Sequence, residues 1–268
     1  MSDSHAVPLY DNIGVNYDAT RRADPFLAGR LVHHLRPYSG GRFLDLACGT
    51  GNYTVTMAEE SGSWHGTWHG LDLSSGMLRT ALGKGGNVHL CQGNAAALPF
   101  RADSFAGAIC TMALHHLASL LPVFQELFRV VDRGRLVIFT STAEQMRGYW
   151  LNEYFPIAMA RSTTQMPSLD LVLESLAAAG FTLECTEKYD VRPDLQDMFL
   201  YAGKDRPQFY LDEEMRRGIS TFSTQSDPEE LAAGCQRLQH DMASGRINEV
   251  AESYRNDGGD YIFVVAVN

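Results

Sequence analysis

Small residues, carboxylates and histidines gather at the ends of apolar runs in this chain. The first such place is Asp45-Leu46-Ala47-Cys48-Gly49-Thr50-Gly51, where an apolar run gives way to small residues ahead of a helix-like segment. Glycines at 49 and 51 permit positive φ, so a ligand can lie against the main chain and the start of the following helix. A tight strand-to-helix turn without a ligand would use the same residues. Asp72 ends a second apolar run 21 residues beyond Gly51. A carboxylate at that separation can accept hydrogen bonds from both hydroxyls of a ribose, the logic of dinucleotide-type sites. Its competing role is to cap the next helix, a task for which Ser74 and Ser75 are also available. Two further stretches follow apolar runs: Gln92-Gly93-Asn94-Ala95-Ala96-Ala97-Leu98-Pro99-Phe100 and Cys110-Thr111-Met112-Ala113-Leu114-His115-His116-Leu117. An unperturbed histidine titrates near neutrality, so His115 or His116 could take a proton from a substrate. Either could equally cap the following helix or pack against a sheet.

These residues need strand ends and helix starts to hold them, and the chain supplies the alternation. Strands are expected at Arg42–Ala47, Trp68–Leu73, Val88–Cys91, Gly107–Thr111 and Arg135–Thr140, with helical patterns between them. The clearest is Leu120–Val131, where Val123, Leu127 and Val130 recur at helical spacing. A helix over Ser168–Ala179, closed by Gly180, precedes a sixth strand at Phe181–Glu187. Tyr261–Val267 is rich in β-branched and aromatic residues and reads as a seventh strand. Residues 193–259, with breakers at Pro193, Pro207 and Pro228, are too long for a plain loop and are expected to be a helical insertion. The fold class that follows is α/β: a Rossmann-like, seven-stranded, mostly parallel sheet with helices on both faces and a helical insertion before the last strand.

With these motifs in this order, the chain resembles the class I S-adenosylmethionine-dependent methyltransferases, in the group of small-molecule enzymes that includes the ubiquinone/menaquinone-biosynthesis type. The resemblance spans roughly Tyr10 to Glu187 and the last strand. It implies S-adenosylmethionine as cofactor, with its methionine moiety along Asp45, Ala47, Gly49 and Gly51, its ribose on Asp72, its adenine flanked by Leu73 and Met77, and the adenine edge at Asn94 and Ala95. Thr111 and the two histidines fall in the stretch that such enzymes place beside the transferable methyl. Ala47 stands where the family most often has glycine, and Asn94 where it often has aspartate. Alanine is nearly as small, and the Asn94 amide oxygen can still accept from an adenine amino group, without the added strength of a charged acceptor. No Asn-Pro-Pro-Tyr-like sequence follows the fourth strand, which argues against relatives that methylate DNA adenine or protein glutamine.

Tyr10–Arg22 resembles the segment that these enzymes fold over the cofactor, so residues 1–41 are expected to form a lid in which Tyr17 and Arg21 close on the sulfonium side and the cofactor carboxylate. A solvent-facing helix is the alternative. The catalytic domain is then residues 42–192 with 260–268, and residues 193–259 cover an acceptor pocket. Tyr149, Trp150, Tyr154 and Phe155, with Met146, Met159 and Met166, occupy the stretch where such pockets are built. Planar and polarizable side chains suit a flat, apolar acceptor, a heteroaromatic or quinone-like metabolite methylated on nitrogen, oxygen or carbon. Aromatic residues at helical spacing also serve as plain core. Tyr201, Phe209 and Tyr210 in the insertion are candidates to complete the same wall.

Composition narrows the partners. With 32 acidic and 22 basic residues, the net charge of −10 opposes a phosphate backbone, so nucleic acid is not an expected substrate. The five cysteines are odd in number and lack any C-x-x-C, which fits neither a disulfide framework nor a zinc site. The first dozen residues lack the basic and apolar regions of a signal peptide, and no run is long enough to span a bilayer, so a cytoplasmic location is expected. His65 and His69 have metal-like spacing but no acidic or thiol neighbour, and no metal site is expected. Two rival readings remain: a non-catalytic or regulatory S-adenosylmethionine-binding protein, and a nicotinamide-dependent dehydrogenase. The spacing from Asp45 to Gly51 is unlike the G-x-G-x-x-G of the latter.

Overall fold

A computed structural model describes residues 20–60 and 66–268. Tyr17, most of the Tyr10–Arg22 segment and His65 lie outside the described residues. Five parallel strands form one side of the sheet: β1 (Arg42–Leu46), β2 (Thr67–Asp72), β3 (Val88–Gln92), β4 (Phe105–Thr111) and β5 (Val131–Thr140). Two more strands complete it, β6 (Thr182–Tyr189) and β7 (Tyr261–Val267); β7 pairs antiparallel with both β5 and β6 and alone runs against the rest. The order is β3-β2-β1-β4-β5-β7-β6, so the last strand slides between the fifth and sixth.

Side chains alternate across a strand, and both faces of this sheet are apolar. Phe43, Ile109, Val137 and Phe263 belong to one core, while their neighbours Leu44, Cys110, Ile138 and Val264 belong to the other. Helix α1 (Pro25–Leu35) covers the first face; Asp24 caps it, accepting from the Leu27 N–H at 3.0 Å, and Leu27, Ala28, Leu31 and Leu35 form its buried stripe. Residues 25–35, inside the segment expected as a lid, are therefore a layer of the main core. Helix α2 (Asn52–Glu60) joins that face through Tyr53 and Met57, and α3 (Ser75–Gly83) follows β2. The second face is covered by α4 (Leu120–Val130) and α8 (Leu169–Ala179), the latter opened by Ser168 and closed by Gly180 at φ 108°.

The Gln145–Pro167 stretch folds into three short helices, α5 (Ala143–Arg147), α6 (Leu151–Tyr154) and α7 (Pro156–Gln165). Between β6 and β7 the chain turns through a 3₁₀ segment (Pro207–Leu211), α9 (Glu213–Arg217), a π-helical turn (Thr221–Gln225), α10 (Pro228–Ser244) and α11 (Arg246–Ser253). This insertion packs on the first face, where Tyr210, Phe222 and Leu238 join the core of α5–α7.

Strands β4 and β5 start earlier than the periodicity suggests, at Phe105 and Val131. Helix α4 passes straight into β5, and the pairing slips at a bulge between Phe105 and Gly107. Gly134 sits opposite that bulge, where an added Cβ would lie 2.2 Å from the Ala106 carbonyl oxygen. Gly134 is thus a glycine inside a strand at a bulge.

Candidate active site

Neighbouring strands β1 and β4 feed loops that leave in opposite directions, and a crevice opens at their carboxyl ends, as expected at a topological switch point. A cavity of about 720 Å³ fills it, lined from the loops after β1, β2, β3, β4 and β5 and from the helices above them. That volume is within the roughly 300–1,000 Å³ usual for small-molecule sites.

At one end the backbone itself forms the floor. Ala47, Gly49 and Gly51 all have positive φ, at 55°, 55° and 73°. An added Cβ at Gly49 would meet nothing within 4 Å, so this glycine leaves open space for a ligand to approach the main chain. A Cβ at Gly51 would instead fall 3.0 Å from the Ala81 Cβ, so its role is to let α2 start close beside α3. Ala47 adopts the left-handed region without being glycine, a backbone cost of about 1–2 kcal/mol.

Asp72 projects from the end of β2 into this space, held by two backbone donors. The Gly49 N–H donates to one carboxylate oxygen at 2.8 Å and the Ser74 N–H to the other at 2.8 Å. These donors fix the direction of the carboxylate. Ser74, not Asp72, caps α3, its Oγ accepting from the Met77 N–H at 3.2 Å. Leu73, 57% exposed, and buried Met77 line the cavity on either side. Asn94 and Ala95 also line it, but the Asn94 Oδ1 already accepts the Ala96 N–H at 2.9 Å and closes its own turn.

Asp45 stands behind the loop, 1% exposed, and is not on the cavity wall. One of its oxygens accepts from the Thr54 hydroxyl at 2.6 Å, and the other has no partner among the described residues. Burial, with a smaller push from Asp72 against the Thr54 hydrogen bond, raises its carboxyl to about 7.

The other end of the cavity starts where β4 stops. Thr111 lines it, Met112 takes φ 52°, and a 3₁₀ turn at Leu114–His116 brings both histidines to the wall. Their ring centroids are 3.8 Å apart. His116 presents surface to the cavity while protein crowds its ring, and burial with the nearby Arg21 charge lowers its pKa to about 4. Burial, then the charges of His116 and Arg21, hold His115 well below the ordinary value, and its Nδ1 has no partner among the described residues. Both rings are neutral at neutral pH.

Arg21 reaches the wall in a buried pair with Asp197 from the insertion, Nε to Oδ1 at 2.5 Å and Nη2 to Oδ2 at 3.4 Å. The Tyr53 hydroxyl donates to the same Oδ2 at 3.2 Å. Asp24 adds a second tie, accepting the Gln196 N–H at 2.9 Å. The guanidinium expected on a cofactor carboxylate is thus engaged by a carboxylate of the protein.

Of the four aromatic residues expected at the acceptor, only Tyr149 lines the cavity. Trp150, Tyr154 and Phe155 are at most 2% exposed and face the core: Trp150 meets Tyr154 and Tyr210 edge-on, and Phe155 meets Phe222. Three short helices cannot turn every ring to one side, and the insertion buries the rest. Tyr201, Phe209 and Tyr210 are likewise core, while Phe199, Leu200, Ile219 and Tyr261 reach the cavity. Asp197, Ser162, Gln165 and Thr221, also on the wall, carried no signal in the sequence, because their positions depend on how the insertion docks.

The chain is similar to known proteins in sequence and in fold. A family model described as a methyltransferase domain matches residues 43–134, the segment from β1 into β5. A demethylmenaquinone methyltransferase of Oceanobacillus iheyensis is 28% identical over 210 residues, covering 74% of this chain and 86% of its own length. The corresponding enzyme of Geobacillus stearothermophilus is 28% identical over 207 residues, covering 73% and 86%. The crystal structure of a putative methyltransferase from an antibiotic biosynthesis pathway of Anabaena variabilis superposes with a TM-score of 0.81 at 26% identity, covering 93% of this chain and 99% of that one. The chain carries a methyltransferase domain and is an S-adenosylmethionine-dependent methyltransferase, similar in sequence and fold to these proteins. Its cofactor is S-adenosylmethionine, and the open backbone at Gly49 beside the fixed Asp72 carboxylate fits that molecule's amino acid and ribose.

The neutral histidines give the methyltransferase a definite pH signature. A histidine accepts a proton only when neutral, and with its pKa at about 4 His116 stays neutral through the range where a free histidine would charge. If it assists proton removal, the acidic limb of kcat/KM lies near pH 4, and the rate is flat in this respect from about pH 5 upward. Rate profiles of the wild type and of His116→Gln check this; a limb near 6.5 in the wild type, absent from the variant, would contradict the lowered value. Linkage runs the same way. The unfolded chain binds the proton at about 6.5 and the folded one at about 4, so this group removes stability as pH falls through that interval.

Proposed function

We propose that this methyltransferase methylates a small, planar, largely apolar metabolite of the heteroaromatic or quinol type, at nitrogen, oxygen or carbon. The observation that carries the reading is the continuity of one cavity. Asp72, Thr111 and both histidines line the same cavity as Met146, Tyr149, Met166, Phe199 and Tyr261. The relatives named as demethylmenaquinone methyltransferases support the same class of acceptor.

In this reading Asp72 binds the cofactor ribose, Leu73 and Met77 hold the adenine faces, Asn94 and Ala95 its edge, and the backbone of Ala47–Gly51 its methionine part, with Asp45 bracing that loop through Thr54. Bound S-adenosylmethionine supplies an electrophilic methyl on a sulfonium. The protein's contribution is to align the acceptor, exclude water and hold a neutral histidine where a proton leaves. A base as weak as His116 is effective only toward an acidic proton, so alignment outweighs it. Helices α5–α7 and residues 193–259 act as the acceptor cover, and Arg21 ties the chain entering α1 to that cover through Asp197. Net charge of −10 supports a non-nucleic-acid substrate, and five free cysteines support a reducing, cytoplasmic setting.

Methyl-tritiated S-adenosylmethionine tests the class directly. Incubated with planar phenols, quinols and nitrogen heteroaromatics, and separately with an oligonucleotide and an unstructured peptide, the protein is expected to label only the small molecules. Efficient labelling of either polymer, with the small molecules ignored, would overturn the proposal.

A further inference from the structure

The cavity wall contributed by α7 and the insertion is polar in a way the methyl transfer does not require. Ser162 and Gln165, one helical turn apart on α7, line it, and the π-helical turn brings Thr221 against them. Ser162 is 7% exposed and Thr221 3%. The Ser162 hydroxyl donates to the Thr221 Oγ1 at 2.9 Å. That uses Thr221 as an acceptor and leaves its own hydroxyl proton without an acceptor among the described residues. The Gln165 amide, exposed at the same wall, makes no hydrogen bond among the described residues.

A hydroxyl proton this deeply enclosed is costly to leave unmatched, and an α-helical threonine ordinarily spends it on the carbonyl four residues back. Its neighbours do so: Ser223 donates to the Ile219 carbonyl and Thr224 to that of Ser220. The wider π turn breaks this habit at Thr221, and single π turns are frequent at functional sites. Beside Met166, Ile219 and Leu200, the cavity wall here includes Ser220 and Ser223, neither of which accepts from the Thr221 hydroxyl, and the Ser223 hydroxyl is spent on the Ile219 carbonyl.

We propose that Thr221, ordered by Ser162 and assisted by Gln165, donates a hydrogen bond to an oxygen of the methyl acceptor remote from the atom that is methylated. The inference rests on the planar-acceptor reading and narrows it. The substrate carries at least two functional positions, a nucleophile near the histidines and a carbonyl or phenolic oxygen on the opposite side of its ring system. Thr221 is then a specificity-determining residue.

The test compares 1,5-dihydroxynaphthalene with 1-naphthol, which differ by one oxygen on the far ring. Their dissociation constants are measured by calorimetry on the full chain saturated with S-adenosylhomocysteine. Wild type is expected to bind the diol more tightly. Thr221→Val is expected to weaken the diol by roughly three- to tenfold, the loss of one neutral hydrogen bond, while leaving 1-naphthol and S-adenosylhomocysteine unchanged. Thr221→Ser, which keeps the donor, is expected to keep the preference. Equal binding of the two naphthols by wild type, or an unaltered preference in Thr221→Val, overturns the donor assignment and leaves the planar-acceptor reading standing. Failure of wild type to bind either naphthol, with S-adenosylhomocysteine bound normally, overturns the planar-acceptor reading and this inference with it.

Discussion

Replacing Asp72 by alanine is expected to weaken S-adenosylmethionine binding by about 1–3 kcal/mol, roughly 5- to 150-fold, the range for losing hydrogen bonds to a charged acceptor. Two effects add. The ribose hydroxyls lose their carboxylate, and the Gly49 and Ser74 N–H groups, each 2.8 Å from it, lose the acceptor that fixes the loop after β1 against the end of β2. The fold itself should survive, because Ser74 still caps α3 and the β1–β2 pairing is untouched. Calorimetric titration with S-adenosylmethionine and S-adenosylhomocysteine measures the loss. Asp72→Asn keeps one acceptor oxygen and should fall between. Wild-type affinity in Asp72→Ala would remove this residue from the site.

A second large effect is expected at Asp197, where the consequence is for stability. Asp197→Ala removes the carboxylate paired with the Arg21 guanidinium beside the cavity and takes away the acceptor of the Tyr53 hydroxyl. Removing one partner of a buried ion pair costs about 3–5 kcal/mol. Arg21 keeps 14% of its side chain exposed, so the lower end, about 3 kcal/mol, is expected. Asp197→Asn, which retains hydrogen bonding, should lose less. Urea denaturation curves decide the matter: a loss under about 1 kcal/mol in the alanine variant would mean that the pair is solvated and does not hold the insertion. The same variant removes a negative charge from beside Arg21, whose charge lowers both histidines, and should push the acidic limb of the rate lower still.

The cofactor half of this site is legible in the sequence because it is local. Ala47–Gly51, Asp72 and Asn94–Ala95 each stand at or just past the carboxyl end of a strand, and strand ends are set by apolar runs that periodicity reveals. Helix ends were legible for the same reason at Ser168 and Gly180. The acceptor half was not, since its walls come from α5–α7 and the insertion, whose rings divide between cavity and core according to tertiary packing. Tyr149 and Trp150 are adjacent, yet one lines the cavity and the other is sealed among Tyr154, Tyr201 and Tyr210. Asp197 in a turn and Thr221 in a π-helical turn are invisible to any periodic signal. The charge states were hidden too. Histidines that look poised to titrate near neutrality are held neutral by burial and by an arginine nearly a hundred residues away in sequence.

Strand β7 lies between β5 and β6 although it is made after both. While the ribosome is still adding the insertion, β5 has one finished neighbour, β4, and β6 has none, so both present open backbone donors and acceptors. Arrival of residues 261–267 fills the gap with two antiparallel pairings at once, and Tyr261 carries a side chain to the cavity in the same step. Synthesis therefore has a late commitment point. A nascent chain stalled or cut before residue 261 holds a nearly complete cofactor loop beside an unsealed sheet, a species prone to pair with its own copies. Tyr261 therefore takes its place on the cavity wall only once β7 has paired with both neighbours.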